Sequence, residues 1–340
     1  MREAMFWEKA DSGRVRCNLC RFRCLIADGR RGFCGVRENH GGTLFSLVYA
    51  RSIAENVDPI EKKPFFHYLP GSRSYSIATV GCNLRCAHCQ NAEISQWPLE
   101  HSSIPGRDLP PAEVVKNALE SGCRSIAYTY TEPTIFFEYA YDTAVLAREA
   151  GLGNVFVSNG YITPEALSHI APYLDAANID LKGFDEDFYR KITAASLAGV
   201  LETLRDYRRH NIWLEVTTLV IPGLNDSDAD LGGIARFIAD ELGPETPWHV
   251  SAFFPAYRLK DVPPTPIATL RRARRIGLEA GLKFVYEGNI PAEQGENTLC
   301  PSCGRTVIER RGYRLGAVHL KQGRCGFCDA EIPGRFSSDA

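Results

Sequence analysis

The chain has 340 residues, 39 Lys and Arg against 41 Asp and Glu for a formal charge of −2, and 44% hydrophobic residues. That balance excludes a disordered chain and a protein that binds nucleic acid over its whole surface. No apolar run approaches the roughly 18 residues of a membrane helix, and Met1 to Lys9 hold no apolar signal region, so a cytoplasmic protein is expected.

Twelve cysteines fall mostly in three groups, and in a reducing cytosol such groups read as metal sites rather than disulfides. Residues 1–75 are expected to form an N-terminal module and linker. Its pattern Cys17-x2-Cys20-x3-Cys24-x9-Cys34 places four thiols in a segment too short to build its own core. A metal would therefore supply most of its folding free energy. Tetrahedral zinc and a second 4Fe–4S cluster both suit four cysteines. Seven arginines lie between Arg14 and Arg37, with Asp28 as the only acid. They suit either docking of an acidic reductase or neutralisation of a doubly negative tetrathiolate site.

Residues 76–290 alternate strand and helix signals. Strands are predicted at Tyr75–Val80, Ser125–Tyr130, Asn154–Ser158, Ala177–Leu181, Trp213–Val220 and Trp248–Phe253. Helices follow at Pro111–Ser121, Thr134–Ala150, Pro164–Ala171, Asp187–His210 (broken near Thr193), Ser227–Leu242 and Ile267–Ala280. Proline in the first turn and Ser or Thr at the cap mark several starts. Six such units in series predict an α/β fold with a parallel sheet, a partial (β/α)6 barrel of TIM type, open at one side. Its chemistry belongs on loops at the carboxyl ends of the strands.

The loop after the first strand reads Val80-Gly81-Cys82-Asn83-Leu84-Arg85-Cys86-Ala87-His88-Cys89-Gln90-Asn91. Three thiolates at C-x3-C-x2-C spacing can hold three irons of a 4Fe–4S cube and leave the fourth open to a chelating ligand. A three-cysteine zinc site, with His88 as fourth ligand, is the alternative.

This motif at the head of a βα-repeat domain resembles the radical S-adenosylmethionine (SAM) superfamily, with His88 where an aromatic residue is common. Ala127 to Pro133, Asn178-Ile179-Asp180-Leu181-Lys182 and Thr218 to Asp226 are similar to a branch related to pyruvate formate-lyase activating enzymes. With the N-terminal cysteines and Asp58-Pro59-Ile60-Glu61-Lys62-Lys63-Pro64, essentially the whole chain resembles AmmeMemoRadiSam-system radical SAM enzymes. The resemblance implies a catalytic cluster on Cys82, Cys86 and Cys89, SAM as cosubstrate, and an electron donor such as flavodoxin or ferredoxin. It also implies that Glu132 binds the SAM ammonium, although Tyr130-Thr131 replaces the glycine pair that precedes this glutamate in relatives. Asn159 at the third strand end, Asp180 and Lys182 at the fourth, and His249 on the sixth are further SAM or active-site candidates. Helix capping by Glu132, a plain turn at Asn159, an ion pair between Asp180 and Lys182, and a backbone-satisfied His249 are the structural alternatives. Cys123 reads as a small core residue.

Residues 291–340 hold Cys300-x2-Cys303 and Cys325-x2-Cys328 around an alternating hairpin, the pattern of a zinc ribbon or rubredoxin-like site. This tail is expected to be an accessory, its basic residues solvated. Three functions compete on these residues. One is a radical SAM enzyme acting on an unknown substrate together with Memo-type and AMMECR-type proteins. The second is an activating enzyme of a glycyl radical enzyme. A zinc-binding nucleic-acid adaptor is the third, and the neutral charge and strand-end acids argue against it.

Overall fold

The computed structural model describes residues 1–290 and 294–336. Its centre is one eight-stranded sheet: β1 (Ala54–Pro59), β2 (Arg73–Ala78), β3 (Ser125–Tyr128), β4 (Gly153–Ser158), β5 (Ala176–Asp180), β6 (Trp213–Val220), β7 (Trp248–Ala252) and β8 (Val285–Gly288). Spatial order follows chain order. Strands β2 to β8 pair in parallel, while β1 lies antiparallel on β2, with Ala54 opposite Ala78. All six expected strands form. The sheet gains one strand at each edge, so seven parallel strands replace the six of the sequence reading. All four residues of β3 are buried, as a strand covered on both faces requires.

Six main helices pack between the strands: α1 (Pro111–Glu120), α2 (Phe137–Glu149), α3 (Pro164–Ile170), α4 (Leu197–Arg209), α5 (Asp228–Phe237) and α6 (Ile267–Glu279). Thr163, Ser196 and Ser227 cap α3, α4 and α5 through their hydroxyls, satisfying otherwise orphaned N–H groups. The expected break falls before α4. A π-helical turn spans Tyr189–Thr193, and Ala194 reverses the chain at φ 60°.

The N-terminal residues build two small antiparallel sheets, and their register brings Cys17 opposite Trp7. Of the seven arginines expected to make this module basic, Arg16, Arg21, Arg23, Arg31 and Arg37 are ion-paired with Glu8, Glu202, Glu165, Glu38 and Glu138. Their charge is largely spent on holding the module to itself and to the barrel. Strand β1 precedes residue 75, so the expected module boundary cuts through barrel structure.

The C-terminal ribbon comprises antiparallel strands Thr298–Leu299, Thr306–Arg311 and Arg314–Val318, then the hairpin Leu320–Lys321 and Arg324–Cys325. It is built into the barrel rather than appended. Arg310 is buried, donates to Phe66 O at 2.7 Å and Thr298 Oγ1 at 2.7 Å, and lies 4.2 Å over the Phe66 ring. His67 Nδ1 meets Pro333 O at 2.6 Å, and Leu69 N donates to Arg335 O at 2.7 Å. Among the described residues no helix is long and apolar enough to cross a membrane.

Candidate active site

The carboxyl ends of the parallel strands open into a cavity of about 550 Å³. Cys82, Cys86 and Cys89 line it together with residues of β3 to β8 and the loops that follow them, the segment 61–66 after β1, and Glu296 and Tyr313. The loop carrying the thiols is fixed by backbone pairing. Arg85 N donates to Thr193 O and Ala87 N to Ile192 O, each at 2.9 Å, which lashes it to the π-helical turn. Gly81 enters this loop at φ +101°, and a Cβ there would meet Val36 Cγ1 at 2.7 Å and Cys34 O at 3.2 Å. The close approach of the N-terminal module thus requires glycine.

Cys82 Sγ accepts from Leu84 N at 3.3 Å and from Asn159 Nδ2 at 3.7 Å, while Cys89 Sγ lies 3.2 Å from Ser95 Oγ. Burial pushes the Cys86 thiol up to about 11 despite the nearby Lys182 ammonium, and burial with the Glu132 carboxylate raises Cys82 well above the ordinary value. A metal cluster held by these thiols would bind them as thiolates and displace their protons. Three inward thiols, N–H donors to sulfur and cavity space beside them fit a cluster with one iron open to a ligand.

Four of the five residues expected beside the thiols line the cavity: Asn159, Asp180, Lys182 and His249. Asn159 Nδ2 donates to Asn83 Oδ1 at 2.8 Å as well as approaching Cys82, so it orients the cysteine loop. Lys182 Nζ lies 2.8 Å from Asp180 Oδ2. Burial opposes the Lys182 charge, but Asp180 and the neighbouring Cys86 hold the ammonium above its ordinary value. Asn225 supports this strand end, donating to Lys182 O at 2.6 Å and to Leu219 O at 2.9 Å. His249 reaches the cavity wall, yet its Nε2 is engaged at 2.6 Å by Glu215 Oε2 and its ring stacks on Tyr286.

Glu132 stands behind the wall instead of in it. The carboxylate is fully buried and accepts four hydrogen bonds, from Thr134 N at 3.0 Å, Thr134 Oγ1 at 2.6 Å, Ser158 Oγ at 2.8 Å and Asn159 N at 2.8 Å. It caps the turn before α2 and clamps the end of β4, the structural alternative at this position. A carboxylate so committed has little capacity left for a ligand ammonium. Its influence on the site runs through Asn159.

Two buried carboxylates behind the cavity wall, Asp58 and Glu215, are not marked as site residues by the sequence. Asp58 accepts from Lys62 at 2.9 Å, from Lys63 at 2.5 Å and from the Tyr130 hydroxyl, and Lys63 Nζ sits 4.4 Å over the Tyr130 ring. Burial pulls Lys63 down to about 8, against the opposing effect of Asp58. The second is Glu215, buried in mid-strand and accepting from Phe66 N, His67 N and Trp213 Nε1 besides His249. Its signal was the single charged side chain of β6. From the ribbon, Tyr313 and Glu296 complete the cavity wall. Cys123, as expected, is a buried core residue.

The Radical SAM superfamily profile matches residues 76–233, the segment from β2 into α5. Over 334 residues the chain is 49% identical to the uncharacterized protein MJ0808 of Methanocaldococcus jannaschii, covering 98% of this chain and 99% of that one. It is 23% identical to the pyruvate formate-lyase-activating enzyme of Clostridium pasteurianum, across 64% of this chain and 93% of the enzyme. The solved structure of Streptococcus suis SuiB bound to S-adenosylmethionine shares the fold at TM-score 0.51 and 11% identity, covering 68% of this chain and 53% of that one. The cysteine loop after β2, the cavity at the strand ends and these likenesses agree, and the chain belongs to the radical SAM superfamily.

Proposed function

We propose that Cys82, Cys86 and Cys89 hold a 4Fe–4S cluster and that SAM occupies the cavity beside them. The carrying observation is that all three thiols line one cavity at the carboxyl ends of the sheet. With both groups bound, the chemistry supplied is reductive cleavage of SAM to methionine and a 5′-deoxyadenosyl radical, which takes a hydrogen atom from the substrate. The chain's own residues bind and orient. Asn159 steadies Cys82, and the Asp180–Lys182 pair offers opposite charges to the carboxylate and ammonium of a zwitterionic ligand. Tyr130 and Tyr313 add aromatic faces to the cavity lining.

The substrate is proposed to lie outside the glycyl radical enzymes, in a system with Memo-type and AMMECR-type proteins. In support, the full-length likeness at 49% identity includes both flanking cysteine modules, whereas the activating-enzyme likeness covers 64% of the chain. The ribbon is proposed to hold zinc. Cys300 and Cys328 are 3.6 Å apart and Cys303 and Cys325 3.8 Å apart at sulfur, as for one tetrahedral ion. The second reading, activation of a glycyl radical enzyme, is favoured by that same activating-enzyme relative.

Electron paramagnetic resonance separates the two. The reduced protein with SAM is mixed in turn with a glycyl radical enzyme and with Memo-type and AMMECR-type proteins. The proposal expects no glycyl doublet from the first mixture and a rise in 5′-deoxyadenosine in the second. A glycyl doublet overturns it in favour of activation.

A further inference from the structure

Three cysteine groups show two geometries. The ribbon thiols converge, with sulfur separations of 3.6 and 3.8 Å. One tetrahedral ion with bonds of about 2.3 Å imposes such distances. Among the described residues this is the one group of three or more thiol, imidazole or carboxylate ligand atoms lying within 4.8 Å of one another. No three of the N-terminal thiols meet that spacing, and neither do Cys82, Cys86 and Cys89. Thiolates at the corners of a cube stand farther apart than thiolates on a single ion. The N-terminal thiols, like those of the catalytic loop, are thus not drawn together as the ribbon thiols are.

The N-terminal group is nonetheless one site. Cys17 N donates to Cys24 O at 2.9 Å, and the turn from Gly32 folds back so that Phe33 N donates to Cys24 Sγ at 3.5 Å. It also abuts the catalytic loop. The Cys34 carbonyl packs on Gly81, the residue before Cys82. Arg85 spans the joint: Nη2 donates to Phe33 O, Nη1 to Cys82 O at 2.9 Å, and the guanidinium lies 4.1 Å over the Phe33 ring. A continuous line of contacts thus runs from Cys24 Sγ through Phe33 and Arg85 to Cys82.

We propose that Cys17, Cys20, Cys24 and Cys34 hold a second 4Fe–4S cluster, which relays single electrons from a reduced carrier protein of flavodoxin or ferredoxin type to the catalytic cluster. No bond forms or breaks. The carrier loses one electron, the second cluster is reduced and reoxidised, and the catalytic cluster gains that electron. The relay rests on the proposed function, whereas occupancy of the site does not.

Occupancy is tested on the full-length variant Cys82→Ala/Cys86→Ala/Cys89→Ala, reconstituted anaerobically and assayed for iron, sulfide and zinc. The expected content is about four iron and four sulfide per chain, with a reduced-cluster resonance after dithionite. Adding Cys24→Ala should remove both. Zinc without sulfide overturns the proposal. If the triple variant does not fold, the wild-type chain decides: about eight iron and eight sulfide supports a second cluster, and about four of each overturns it. For the relay, Cys24→Ser is compared with wild type in the ratio of carrier-driven to dithionite-driven 5′-deoxyadenosine release. A fall of about tenfold or more is expected, because the protein's part in such chemistry is to position the redox groups. An unchanged ratio, or loss of both rates together, overturns the relay.

Discussion

Among the contacts that join the N-terminal module to the barrel is one buried ion pair, and breaking it by halves should cost far more than removing it whole. Arg37 and Glu138 are each 1% exposed, with Arg37 Nη2 2.7 Å from Glu138 Oε1. The same Nη2 donates to Met5 O at 2.6 Å, and Met5 N donates to Glu138 Oε1 at 2.7 Å. Glu138→Leu leaves a buried guanidinium without its counter-charge, a loss of about 3–5 kcal/mol. Arg37→Met strands the carboxylate at a similar cost, reduced to the extent that Glu138 takes up a proton. In the double variant no charge remains, and the residual cost is that of the unpaired Met5 amide groups, about 1–3 kcal/mol each. Urea unfolding of the four proteins, followed by far-ultraviolet circular dichroism, should show the double variant more stable than the sum of the singles by at least about 2 kcal/mol. Strict additivity, or a single-variant loss below about 1 kcal/mol, would refute the inference that the pair is mutually dependent and shielded from water.

Three other predictions concern the joints around the site. Arg310→Met removes the donors to Phe66 O and Thr298 Oγ1, both buried, and should destabilise the ribbon junction by about 2–4 kcal/mol, read as faster proteolysis of the tail at unchanged barrel circular dichroism. Burial holds His67 down to about 4, against 6.5 for a free imidazole, between Tyr286 Oη and Pro333 O. Between those values the unfolded chain binds a proton that the folded chain refuses. Stability is therefore complete above pH 6.5 and falls as the pH drops toward 4, by about 3 kcal/mol in all; His67→Gln should flatten the pH slope measured by urea unfolding in that window. Gly81→Ala places a Cβ 2.7 Å from Val36 Cγ1 at φ +101°, and should cost about 1–3 kcal/mol and lower iron loading of the catalytic loop; retention of wild-type iron content would count against the tight packing.

The architecture was legible because six β/α units announce themselves by strong apolar strands and well-capped helices. The two edge strands were not. In β1 the only aliphatic side chain longer than alanine is Val57, which is exposed, and the strand forms by pairing with β2 instead of by burying a face. Strand β8 is four residues long and is separated from α6 by five residues, with too little length for a period to show. The cysteine loop was legible from spacing alone, since three thiols on a strand-end loop have few other uses. Glu132 shows the limit: sequence position put it beside the ligand, while three dimensions turned its oxygens toward Thr134, Ser158 and Asn159. Lys63, Tyr130 and Tyr313 reach the cavity from segments distant in sequence, and no local pattern encodes such a meeting. The ribbon looked like an accessory because its own motif is self-sufficient, whereas the buried Arg310 and the backbone bonds of His67 and Leu69 tie it to the barrel.

Reductive cleavage of SAM is proposed for the cavity bearing Cys82, Cys86 and Cys89. The direct measurement is 5′-deoxyadenosine and methionine formed by the anaerobically reconstituted, dithionite-reduced chain, beside the Cys86→Ala variant. Equal amounts of both products are expected from the wild-type protein and neither from the variant. A wild-type chain with full iron and sulfide that leaves SAM intact, or a variant that cleaves it as well, would rule out reductive cleavage at these thiols.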